Sequence, residues 1–164
     1  MKKIVIPSAI VLLVLSILCF VPIQWNVSQT MTVQVTEDMS EGSFIETEMK
    51  IAGKYSFYFF QPDCFDGKIE IASFPETAEK NVDFKVTGTS PSSLIYHSWS
   101  GSELNSVSFG LIKANFGMKQ MIIFKSDENG GINLDGEQTC VILAGDSTLE
   151  EARKLLNAWY QAED

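Results

Sequence analysis

At 164 residues with a formal charge of −9, the chain has room for one acidic domain. Its 45% hydrophobic and 11% aromatic content supplies a core, which argues against wholesale disorder. Lys2 and Lys3 stand ahead of the first apolar run, leaving 10 basic against 21 acidic residues beyond it, a net of −11. Such a domain repels phosphate backbones, so a nucleic-acid partner is not expected.

The run from Ile4 to Ile23 contains no charged residue. Twenty apolar residues at helical rise span about 30 Å, the thickness of a bilayer's hydrocarbon core. The sequence therefore predicts a short cytoplasmic start over residues 1–3 and a single-pass transmembrane anchor over residues 4–24. A short linker over 25–30 and an extracytoplasmic domain over 31–164 follow. Membrane lipid is the expected partner of residues 4–24, with Trp25 at the interface. A cleaved secretory signal is the alternative, and a bacterial envelope is the expected setting.

Beyond the run, Met31 to Thr36 alternates apolar and polar, as a half-buried strand does. Asp38 to Gly42 reads as a turn. Phe44 to Ile51 is a weaker extended stretch, and Lys54 to Phe60 is rich in strand-favouring aromatics. Asp66-Gly67 reads as a tight turn opening a strand over Lys68–Ile71. Val82, Phe84 and Val86 share one face of another strand. Leu94–Trp99, Val107–Phe116, Met121–Phe124 and Thr139–Ala144 follow as strands. Asp127–Gly131 and Asp135-Gly136 read as turns between the later ones.

The final segment changes period. Ser147-x-x-Glu150 fits a capping box, and Leu149, Ala152, Leu155, Leu156 and Trp159 repeat at helical spacing. This predicts an amphipathic helix over 147–162, with Arg153 and Lys154 facing away. The fold class expected is mainly β: an antiparallel β-sandwich or curved sheet with the helix packed on it. The strands around Tyr55, Ile122 and Ile142 are apolar on both faces and need cover on both sides.

Chemistry-bearing residues are sparse. The compartment permits disulfides, and Cys64 with Cys140 forms the candidate bridge. His97 is the one histidine. A thiol pair of Cys64 or Cys140 with His97 lacks any nucleophile signature, and Ser100-Gly101-Ser102 is not a nucleophile elbow. One histidine and two distant cysteines do not supply a zinc site. Asp127 to Asp135 gathers oxygen ligands but misplaces the glycine and glutamate of a calcium loop, so hairpin turns explain it. No cofactor, metal or catalytic residue is therefore assigned. Tyr96, Trp99 and the aromatics after Lys54 are candidates for an exposed surface, against the commoner role of core.

The function expected is a membrane-anchored interaction module binding another envelope protein. The alternative is an envelope hydrolase using acidic residues or Cys64 and His97.

Overall fold

Period-two alternation organises the chain from Ile23 onward. The computed structural model describes residues 21–39, 42–87, 90–127, 130–132 and 139–161. Eight strands follow in order: β1 (Ile23–Thr36), β2 (Ile45–Phe57), β3 (Asp63–Ile71), β4 (Asn81–Val86), β5 (Ser92–Ser100), β6 (Glu103–Ala114), β7 (Met121–Lys125) and β8 (Val141–Ala144). One helix, α1 (Leu149–Tyr160), ends the described chain. Each strand pairs antiparallel with the next, and β8 pairs back to β1, closing an up-and-down barrel.

This closure corrects the expected β-sandwich or curved sheet. The reason lies in β1. At 14 residues it pairs with β2 along Ile23–Val35 and still offers Val33–Thr36 to β8. A closed sheet has no free edge along its paired length, and β1 supplies the final seam. The region 23–30, divided in the sequence between anchor and linker, is strand. The membrane-spanning helix is corrected likewise: among the described residues no helix is long and apolar enough to cross a membrane. Residues 4–20 of that expectation lie outside the described residues, and Ile23 and Gln24 belong to β1.

The barrel interior is filled by alternate residues. Val27, Met49, Tyr55, Phe65, Ile69, Phe84, Leu94, Tyr96, Ile112, Ile123 and Ile142 form one buried cluster. Tyr96 donates its hydroxyl hydrogen to the Ile69 carbonyl at 2.7 Å, which satisfies the polar tip inside an apolar wall. A second cluster lies outside the barrel. There Ile122, Phe124, Val141 and Leu143, on the outer faces of β7 and β8, meet Ala152 and Leu156 of α1. Those two strands are buried on both faces because α1 covers them.

Three local readings change. Asp66-Gly67 is not a turn: β3 runs through it, and Gly67 sits opposite Gly53 of β2. The two backbones approach so closely that a Cβ on Gly53 would stand 2.4 Å from the Asp66 carbonyl oxygen and 2.6 Å from the Gly67 Cα. Glycine here permits the contact, as it does within strands generally. The helix cap is formed by Thr148 and Glu151, one residue beyond Ser147 and Glu150. Glu150 instead pairs with Lys154 at 2.7 Å on the solvent face. Arg153 does not face away, because its guanidinium donates to the Met39 carbonyl and ties α1 to the β1–β2 loop.

Candidate functional site

The two ends of the barrel differ in chemistry. One end, where β2, β4, β6 and β8 finish, carries an aromatic cluster. Alternation points Trp25, Tyr55 and Phe57 inward at that rim, and the turn after β6 brings Phe116 over them. The Trp25 and Tyr55 rings stack with centroids 4.8 Å apart, and Phe116 sits 5.4–5.8 Å from Trp25, Tyr55 and Phe57. Such contacts add about 0.5–1.5 kcal/mol per pair beyond burial.

The turn is locked by Asn115, whose side-chain oxygen accepts from the Lys119 and Gln120 N–H groups at 3.1 and 2.9 Å. Within it, Met118 is fully buried with φ of 61°, a left-handed backbone that costs a non-glycine residue free energy. Gln29, on the inner face of β1, donates to the Met118 carbonyl. The turn is thus held down into the barrel end as a plug.

Asp63 completes this end. Its carboxylate accepts from the Tyr55 hydroxyl at 2.7 Å and from the Tyr58 N–H at 2.9 Å. Burial, then the bond and negative charge of Asp63, raise the Tyr55 pKa well above its usual value. A cavity of about 520 Å³ opens beside this pair. Val86, Phe116 and Met121 line its apolar side, and Lys113, a half-buried residue, contributes a positive charge to its wall.

At the other end the β5–β6 hairpin outruns its neighbours. β4 pairs with β5 at Asn81–His97 and Val82–Tyr96, and β7 meets β6 only from Gly110 onward. No described strand therefore flanks Glu103–Ser108 opposite β5. The hairpin turns at Gly101-Ser102, where Gly101 takes a φ of 65° that its missing Cβ allows. On the outer face of this ribbon Trp99 pairs across to Leu104, and the two are 68% and 51% exposed. Next to them His97 faces Ser106, with His97 Nδ1 3.0 Å from the Ser106 hydroxyl oxygen. His97 Nε2 stands 3.1 Å from an Asp83 carboxylate oxygen on β4.

The residues singled out from sequence are not gathered into one site. Cys64 is a half-buried free thiol across from Lys85, and its sulfur lies 3.9 Å from the Pro62 carbonyl. Cys140 is also free and packs against the barrel core, so the candidate Cys64–Cys140 bridge is not formed. Burial raises both thiol pKa values, that of Cys140 to about 11, which leaves each a poor nucleophile. His97 contacts Asp83 and Ser106 rather than either cysteine. Among the described residues no group of three or more His, Cys, Asp or Glu side chains could hold a metal. Asp127 closes its turn conventionally, its carboxylate accepting from the Gly131 N–H at 2.8 Å. Glu128, Asn129 and residues 133–138 lie outside the described residues.

Of the aromatic candidates, Tyr96 is core, Trp99 is exposed, and Phe59 and Phe60 lie in the loop after β2, 48% and 75% exposed. Sequence reading passed over Asp83 and Ser106. The signal was present in the turn: a hairpin closing at Gly101-Ser102 puts His97 opposite Ser106 by register alone. Asp63 read as the start of a loop, and only the β2–β3 register, with Tyr55 opposite Phe65 and Asp63 two residues from Phe65 on the same face, brings the pair together. The chain matches no protein-family model, no curated protein and no solved structure.

Proposed function

We propose that the barrel is an interaction module that takes an extended segment of a partner protein on the β5–β6 ribbon. One observation carries this: the ribbon projects past its neighbouring strands with Trp99 68% exposed beside Leu104. A solvated Trp is among the residue types that dominate binding energy at protein interfaces, and Leu104 adds apolar area beside it. Among the described residues no strand covers the outer edge of Glu103–Ser108, the kind of edge that strand addition uses. Net acidity favours a basic or neutral partner segment over an acidic one. The charge-free run behind Lys2 and Lys3 supports export, so the partner is sought outside the cytoplasm.

The test places a photo-crosslinking residue at Asn105, and a control at Lys68 on the barrel wall, in the native cell. The expected result is one discrete adduct from Asn105 that is lost on Trp99→Ser and Leu104→Ser, with none from Lys68. Equal adducts from both positions, or an adduct indifferent to those substitutions, overturns the proposal.

The hydrolase reading has one observation in its favour, the Asp83–His97–Ser106 line. Its geometry argues otherwise. In a working triad the serine bonds Nε2 and the carboxylate bonds Nδ1, whereas here the two are exchanged. The Asp83 side chain is 72% exposed on the outer barrel wall, where water screens it. These contacts are those of cross-strand pairs on a solvated face. Labelling of Ser106 by a fluorophosphonate would reverse this judgement.

A further inference from the structure

The aromatic end of the barrel has a feature the ribbon does not use: a cavity of about 520 Å³ with an apolar side and, at Lys113, a cation that no ion pair neutralises among the described residues. Its volume falls in the range of about 300–1,000 Å³ typical of small-molecule sites. Val86 and Met121 are buried core residues at its wall, while Phe116 is 60% exposed and lines it as well.

The charges around it are not equivalent. Lys154 is neutralised by Glu150 at 2.7 Å. Glu151 is engaged in the helix cap, its carboxylate accepting from the Thr148 N–H at 3.1 Å. Asp63 holds the Tyr55 hydroxyl and the Tyr58 N–H. Lys113, half-buried on the outer side of β6, has no ion-pair partner among the described residues. A lysine at the wall of a cavity, without a carboxylate paired to it, is an attractive site for an anion.

We propose that this cavity binds a small amphipathic monocarboxylate, its head on Lys113 and its apolar body against Phe116, Val86 and Met121. Asp63 sets the orientation, because its negative charge repels the head from the Tyr55 side. The site is separate from the ribbon and does not depend on a protein partner.

The experiment displaces the anionic dye 1-anilinonaphthalene-8-sulfonate from the full-length chain with decanoate, decanol or decyltrimethylammonium. Decanoate is expected to displace the dye at a concentration at least tenfold lower than either other ligand. Lys113→Gln removes that preference, Lys113→Arg retains it, and Met121→Trp, which fills the cavity, weakens displacement by all three. Each variant is compared at matched thermal midpoint, so a folding defect is told apart from a binding one. Failure of the dye to bind, equal action of decanoate and decanol, or an undiminished preference in Lys113→Gln each overturns the assignment.

Discussion

The crossing of Gly53 and Gly67 offers the sharpest check on the barrel, because two simple arguments give opposite signs. Neither glycine has a positive φ, so conformational entropy alone makes Gly53→Ala stabilising by about 0.4–1 kcal/mol. The tertiary contact says the reverse. A Cβ at 53 would meet the Asp66 carbonyl oxygen at 2.4 Å and the Gly67 Cα at 2.6 Å, roughly 1 Å inside ordinary contact, and both neighbours are backbone. Relief requires β2 and β3 to separate, which strains the register from Met49–Ile71 to Ser56–Cys64. Overpacking of this kind costs about 1–3 kcal/mol, so a net loss of about 2 kcal/mol is expected. With a urea slope of about 2 kcal/mol/M, the unfolding midpoint falls by about 1 M. Gly67→Ala should behave alike, since its Cβ would stand 2.4 Å from the Ala52 carbonyl oxygen. The double variant should lose less than the sum, because strands already parted by one methyl admit the second more cheaply. A raised midpoint in either single variant, with an unchanged slope, would refute the close crossing.

Other consequences can be measured on the same protein. Leu156→Ala removes a buried side chain from the cluster between α1 and the β7–β8 face and should cost about 2–5 kcal/mol in denaturant unfolding, whereas exposed Asn157→Ala should cost under about 0.5. Tyr55 and Tyr96 both have pKa values raised above the ordinary 10 by burial, so the fold favours their neutral form. Their contribution is fully present below pH 10 and is lost as pH rises above it; Tyr55→Phe and Tyr96→Phe should each flatten the alkaline fall of the thermal midpoint. Cys140, with its pKa near 11, should alkylate in the native state at pH 8 about a hundredfold more slowly than in the unfolded chain, as read by peptide mass mapping.

Much of the local structure was legible in the sequence, for reasons that particular residues make plain. Alternation at Val33/Val35, Val82/Phe84/Val86 and Ile69/Ile71 is a direct imprint of a pleated strand with one buried face. The stripe from Leu149 to Trp159 is the same imprint at helical period. Met121–Phe124 and Val141–Ala144 announced that something must cover their second face. The cap shifted by one residue because Ser147 and Thr148 offer the same hydroxyl, and only the three-dimensional entry of the chain into α1 chose between them.

What the sequence determined by itself is therefore the inventory: strands, an amphipathic helix over 147–162, an acidic composition and a single histidine. These follow from periodicity and composition, which act over a few neighbours. Closure was decided by tertiary structure alone, because it depends on whether β1 can reach β8 across more than a hundred residues, and no local pattern encodes that meeting. The same holds for the two candidate surfaces. The cavity beside Lys113 and the ribbon at Trp99, whose Glu103–Ser108 edge no described strand flanks, arise where separate strands end against one another. A strand's pattern fixes which way its side chains point; only the barrel fixes what they face.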